Sequence, residues 1–336
     1  MATYREIAAQ LMAHGKGILA ADESVPTMSA RLVAAGVEAT EENRRAYREM
    51  LISTPGLDDA VSGVILCDET FGQRLSDGTP FPQAVAAFGM LPGIKADNRA
   101  RPWPGLPGEK VTEGLDGLPD RLAHYAQRGA VFAKWRSVFT ITDTKPSPGA
   151  IRANASGLGR YAAACQEAGL AAIVEPEVLM DGDHSRGRCA SVTATVHDAV
   201  RTELAAFNVD LSGVILKPNM VLEGQDYPAP SAPRLVADAT TRMLDAWPPH
   251  LAGVAFLSGG QEPERATDNL EAMQHHRTPW PLTFCFGRAL VSPALDAWRG
   301  KVDRVADGQS ALAKRVTANG VAVLGQLHAL LPARSG

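Results

Sequence analysis

The sequence predicts an α/β chain closed into a (β/α)8 TIM barrel. Three observations carry that expectation: eight short apolar runs alternate with helix-period segments, every run ends in polar residues, and no G-x-G-x-x-G follows the first run. The missing fingerprint argues against the rival fold, a doubly wound open sheet. Eight is also the strand number at which a parallel sheet closes around an interior that side chains can fill. At 336 residues the chain could hold two average domains, but barrels routinely use this length as one. With no internal repeat and no low-complexity linker, one domain over residues 1–336 is expected, ending in a helical extension.

The elements follow in order. "MATYREIAAQLMAHGKG" reads as a short amphipathic helix; it lacks the apolar core of a signal peptide and the Arg-rich, acid-poor character of a transit peptide, so a cytoplasmic location is expected. "GILAADES" is the first strand. "TEENRRAYREML" is an exterior amphipathic helix with Thr40 as its cap and no catalytic role for its arginines. "SGVILCDE" and "MLPGIKAD" are the next two strands. The Pro- and Gly-rich stretch "NRARPWPGLPGEKVTEGLDGLPD" reads as a long surface loop. "AVFAKWRS", "AAIVEPEV", "SGVILKPN", "GVAFLSGG" and "LTFCFGRA" complete the eight strands, with helical patterns over 151–168, 192–207, 232–247 and 262–275. A further helical pattern runs on after Gly300.

Composition narrows the function. Hydrophobic residues make up 45% of the chain, enough for a sizeable core, and 33 Lys plus Arg stand against 37 Asp plus Glu, a net charge of -4. Without a basic stripe, nucleic acid is not an expected partner. No apolar run is long enough to span a membrane. Cys67, Cys165, Cys189 and Cys285 are scattered without C-x-x-C spacing, which suggests reduced thiols and neither a metal knuckle nor a disulfide scaffold.

The strand ends carry the chemistry. In "GVILKPNM" a buried strand runs into Lys217, which either snorkels to solvent or sits at a pocket rim as a nucleophilic amine. In a closed barrel it would converge with Asp22, Lys134, Arg136, Glu175 and Glu177. Lys134 is embedded within "VFAKWR", so its side chain should share the face of Phe132 and Arg136. A second ammonium nearby, with burial, is expected to lower the Lys217 pKa toward about 7–8 and free the amine to attack a ketone. The acids Asp22, Glu175 and Glu177 would move the protons.

An anion site is also expected. "LSGGQ" puts Ser258, Gly259 and a second glycine between a strand and a helix, where backbone N–H groups favour a phosphate. "FGRAL" repeats the design, with Gly287 exposing backbone and Arg288 able to make bidentate contacts.

Ten stretches, "GKGILAADES", "TEENRRAYREML", "GIKAD", "TEGLDGLPDR", "FAKWR", "VEPEVL", "DGDH", "LKPNMV", "FLSGGQ" and "TFCFGRAL", resemble the class I, Schiff-base-forming fructose-1,6-bisphosphate aldolases in order and spacing, over residues 5–325. The resemblance implies Lys217 as the Schiff-base lysine with Lys134 beside it. It implies Glu175, with Glu177 close by, as the acid acting on the carbinolamine and in carbon–carbon cleavage, and Asp22 as the group handling the C4 hydroxyl. One phosphate would lie on Ser258, Gly259, Gly287 and Arg288, the other near Ser24, Thr27, Arg31 and Lys95, with Arg136 in the pocket. A sugar phosphate substrate, no cofactor or metal, and a homotetramer are implied too.

The departures from the family are specific. Animal members read "STGSIAKR" where this chain reads "SVPTMSAR", so Ala30 replaces a lysine and Pro26 is added. A Ser-Tyr pair has become Cys285 and Phe286. The family's tail tyrosine has no counterpart, the last tyrosine here being Tyr227. Three other readings compete: a metal cluster in "DGDHSRGRC" (Asp181, Asp183, His184, Cys189), whose spacing fits a loop better than a compact zinc motif; a barrel that only binds sugar phosphates; and the same chemistry on another phosphorylated ketose.

Overall fold

Eight parallel strands close on themselves in the computed structural model, which describes residues 2–327. In chain order they are β1 (Gly17–Ala21), β2 (Val61–Leu66) and β3 (Leu91–Lys95), then, after a separate hairpin of β4 (Ala100–Trp103) and β5 (Leu106–Thr112), β6 (Phe132–Phe139), β7 (Ala171–Val178), β8 (Val214–Leu216), β9 (Gly253–Phe256) and β10 (Leu282–Phe286). Around the barrel the order is β1, β10, β9, β8, β7, β6, β3, β2, with β1 pairing both β2 and β10. The predicted (β/α)8 fold is therefore the observed one.

Two apolar layers hold it. The interior is filled by Ile18, Ile65, Phe132, Ile173, Ile215 and Ala255, and the outward faces pack against the helices in a larger cluster that includes Trp135, Tyr161, Phe256 and Phe284. The strands are buried on both faces, so they read as continuous apolar runs. Space at the N-terminal end is shaped by glycine: a Cβ on Gly93 would overlap the Phe132 ring. The Tyr4–Leu11 helix, started by a Thr3–Glu6 capping box, closes that end. Its Ile7, Ala8 and Leu11 join the interior cluster, and Ser62 Oγ donates to Leu11 O at 2.7 Å.

The exterior helix spans Glu41–Ile52 and is capped by Thr40, whose hydroxyl accepts from Asn43 N at 3.1 Å. Its arginines are structural: Arg44 pairs with Glu69 at 2.6 Å, and the fully buried Arg48 donates to the carbonyls of Ala21 and Glu23. The helical extension runs over Val305–Val323, and Asn319 Oδ1 accepts from Thr267 Oγ1 at 3.1 Å. The predicted continuation beyond residue 327 lies outside the described residues.

One expectation is corrected. The Pro- and Gly-rich stretch expected as a long surface loop contains the β4–β5 hairpin, in which Ala100 faces Thr112 and Trp103 faces Leu106. Pro104 and Gly105 make the turn, Gly105 at a φ of 80°. The prolines that argued for loop are compatible with a two-stranded ribbon, where half the backbone N–H groups face away from the partner strand. Asn154, on the Pro148–Glu167 helix that follows β6, fixes the hairpin by accepting from Thr112 N at 3.0 Å and donating to Lys110 O at 2.9 Å.

Candidate active site

Strand alternation builds the site. Beyond the interior apolar side chains, the same faces continue as Ile18, Ala20, Asp22 on β1 and its end; Phe132, Lys134, Arg136 on β6; Ile173, Glu175, Glu177 on β7; and Ile215, Lys217 on β8 and its end. Lys134 thus shares its face with Phe132 and Arg136, as the pattern predicted. Lys217 is fixed on both sides: its N–H donates to Val174 O at 2.8 Å, and Leu257 N donates to Pro218 O at 3.1 Å. Asn219 ties the following turn to β7 by accepting from Val178 N at 3.0 Å. That is why Pro218-Asn219 follows the lysine here.

The three central groups form a bridge. Lys217 Nζ lies 3.0 Å from Glu175 Oε1, and Lys134 Nζ lies 3.1 Å from Glu175 Oε2 and 2.6 Å from Asp22 Oδ2. Lys134, Glu175 and Lys217 are each 3% exposed, so these charges meet in a low-dielectric setting. Burial raises the Glu175 and Asp22 pKa values, but Lys134 and Lys217 outweigh it and hold both carboxyls below their usual range. Burial likewise opposes the Lys134 charge, and Asp22 and Glu175 override it upward.

The expected lowering of the Lys217 pKa is corrected in the same way. Burial and Lys134 push it down, yet Cys285, Glu175 and Asp22 push it up further, and the net direction is upward. Burial raises the Cys285 thiol to about 11, so at neutral pH the thiol is uncharged and Glu175 carries the effect. Sequence reasoning counted the second ammonium and missed that a carboxylate stands between the two. Glu175 Oε1, at 3.0 Å, is within reach of a proton on the Lys217 amine.

These groups sit in a cavity of about 570 Å³ at the strand C-terminal ends. Its lining includes every candidate named from the sequence: Asp22, Lys134, Glu175, Glu177, Lys217, Arg136, Lys95, Ser24, Thr27, Arg31, Ser258, Gly259, Gly287 and Arg288. At one side, Gly259 and Gly260 take left-handed φ values of 58° and 89° just before the Pro263–Gln274 helix, and Gly287 precedes the Arg288–Trp298 helix. Helix starts of this kind suit an anion. Just after β1, the Ser24 and Thr27 hydroxyls lie 3.0 Å apart and Arg31 pairs with Glu23, and at the end of β3 Lys95 pairs with Asp97 at 2.7 Å. Arg136 pairs with Glu177 at 2.5 Å.

The lining also includes Asp97 and Cys285, which the sequence marked at strand ends without a site role, and Glu23, Arg99 and Lys110, which it did not single out. Glu23 and Asp97 lay inside the quoted strand ends and were readable as partners for Arg31 and Lys95. Arg99 and Lys110 reach the cavity from the unforeseen hairpin. Asp181, Asp183 and His184 occupy the loop before the Arg186–Ala206 helix, and among the described residues no three His, Cys, Asp or Glu side chains group to hold a metal ion.

A parallel barrel with a buried lysine against a carboxylate, and cations at opposite sides of its mouth, is equipped for imine chemistry on an anionic carbonyl compound. The family model for fructose-bisphosphate aldolase class-I matches residues 3–334. The probable fructose-bisphosphate aldolase class 1 of Xanthomonas campestris pv. campestris is 47% identical over 96% of this chain and 97% of its own length. The cytosolic fructose-bisphosphate aldolase 6 of Arabidopsis thaliana is 49% identical over 95% of this chain and 89% of its own. The structure of the Plasmodium falciparum fructose-bisphosphate aldolase, solved with TRAP and a small-molecule inhibitor, superposes with a TM-score of 0.94 at 43% identity, covering 96% of this chain and 94% of that one. The chain belongs to the class I fructose-bisphosphate aldolases.

Proposed function

We propose that the chain cleaves fructose 1,6-bisphosphate reversibly to dihydroxyacetone phosphate and glyceraldehyde 3-phosphate through an imine on Lys217. The observation that carries this reading is the Lys217–Glu175–Lys134 bridge, which puts a proton acceptor against a buried amine. Lys217 passes a proton to Glu175, and the neutral amine adds to the C2 ketone of the open-chain sugar. Glu175 returns a proton to the carbinolamine oxygen, water leaves, and an iminium forms. Glu175 or Asp22 then takes the C4 hydroxyl proton; the C3–C4 electron pair moves into the iminium, and the aldehyde phosphate departs. Protonation of the enamine at C3 and hydrolysis release dihydroxyacetone phosphate and free Lys217.

The remaining residues bind and orient. Lys134 keeps Asp22 and Glu175 ionised, and Glu177 orients Arg136. Ser258, Gly259, Gly287 and Arg288 hold the C1 phosphate; Ser24, Thr27, Arg31 and Lys95, with Arg136, receive the C6 end. Holding both ends fixes the ketone over the amine. The Arabidopsis relative, named cytosolic, supports a cytoplasmic location, and the family resemblance supports a single-domain protomer in a homotetramer serving glycolysis and gluconeogenesis.

One observation favours a second reading, the same chemistry on another phosphorylated ketose: Ala30 stands where the family motif has a lysine near the C6 end. A coupled assay with fructose 1,6-bisphosphate in the presence of EDTA tests both. Turnover at an undiminished rate is expected. Loss of turnover on chelation overturns the metal-free mechanism, and no turnover on this sugar alongside cleavage of another ketose phosphate supports the second reading.

A further inference from the structure

The cavity lining carries eight cationic side chains and five carboxylates. Five of the cations have a carboxylate each: Arg31 with Glu23, Lys95 with Asp97, Arg136 with Glu177, Lys134 with Asp22, and Lys217 with Glu175. The excess of three is Arg288, Arg99 and Lys110, whose side chains have no hydrogen-bond or ion-pair partner among the described residues. Arg288 follows β10. Arg99 and Lys110 belong to the hairpin, which is anchored on β6, four strands around the ring of eight from β10. The unpaired charge therefore lies at opposite sides of the mouth, with Lys217 between them.

We infer that Arg99 and Lys110, presented by the β4–β5 hairpin, bind the phosphate farthest from Arg288 and set the preference for a bisphosphate over a monophosphate ketose. The inference rests on the proposed aldolase reading and names residues outside the set that the family resemblance supplies. The two cations which that resemblance assigns to the far phosphate, Arg31 and Lys95, are already neutralised by Glu23 and Asp97. A phosphate carrying close to two charges at neutral pH needs a net positive site, and the lysine that the family motif puts near this end is Ala30 here. The hairpin supplies the charge from a different element.

The arm is built to present these groups. Thr112 Oγ1 donates to Arg136 O at 2.8 Å, fixing β5 against the barrel wall, and Lys110 stands two residues away on the same strand face. Asn154 holds the Lys110 backbone from the other side. Arg99 takes a φ of 78°, a left-handed conformation that costs a non-glycine residue energy, and is kept there by Arg99 N donating to Asp97 Oδ1 and by Arg99 O accepting from Glu113 N, both at 3.1 Å. Arg101, the next cation on the arm, does pair with a carboxylate, Glu113 at 2.7 Å, so the unpaired state is selective.

The test is the ratio of kcat/KM for fructose 1,6-bisphosphate over fructose 1-phosphate, which lacks the far phosphate. In R99A/K110A the ratio is expected to fall about tenfold or more, through KM for the bisphosphate, as befits the loss of charge-assisted contacts. The charge-preserving R99K/K110R variant should recover most of it. An unchanged ratio, or an equal fall for both sugars, overturns the inference, the latter marking the arm as merely structural. Wild-type protein that fails to cleave the bisphosphate defeats the aldolase reading itself, a distinct outcome.

Discussion

Glu175 Oε1 stands 3.0 Å from Lys217 Nζ, and its other oxygen stands 3.1 Å from Lys134. One carboxylate thus joins two buried lysines, and it raises the pKa of Lys217, the amine proposed to attack, while standing where it could accept that amine's proton.

Replacing Glu175 with Gln separates these two effects. Removing the negative charge should lower the Lys217 pKa, because Glu175 is one of the groups that raise it, while turnover falls by about 100-fold or more for want of the proton carrier. The pH dependence of imine trapping with dihydroxyacetone phosphate, read beside kcat, checks both. A midpoint that moves upward would contradict the assigned electrostatics.

Asp22→Asn probes the same cluster through stability. The Asp22 pKa is depressed in the folded protein, so its charge contributes stability that is present above the unfolded value of about 4 and lost as pH falls toward the folded value. The variant should be less stable than the parent near pH 7 by about 3 kcal/mol, since Lys134 loses its nearest partner, and the gap should narrow below pH of about 4. Urea unfolding across that range checks it; a gap independent of pH would show that the carboxylate charge is not what stabilises.

Gly93→Ala tests the closed end of the barrel. The added Cβ would overlap the Phe132 ring inside a filled interior, and overpacking of that kind costs about 1–3 kcal/mol. Thermal unfolding should show the loss, whereas a variant as stable as the parent would mean that this end is looser than the packing indicates.

The barrel was legible because parallel strands buried on both faces leave continuous apolar runs, and because the chemistry sits where those runs end, as at Asp22 and Lys217. The hairpin was not, since Pro102, Pro104 and Pro107 signal loop to a reading that has no partner strand in view. The state of Lys217 was not legible either. It depends on which oxygen of Glu175 faces which lysine, a relation set by the register of β6, β7 and β8 and invisible in spacing alone. Arg99 and Lys110 were hidden for the first of these reasons.

The most direct measurement is borohydride reduction of the protein incubated with fructose 1,6-bisphosphate, followed by peptide mass spectrometry. A stable adduct is expected on Lys217, absent from Lys134 and lost in Lys217→Met while that variant stays folded. An adduct confined to another lysine, or appreciable steady-state cleavage by Lys217→Met, would contradict it.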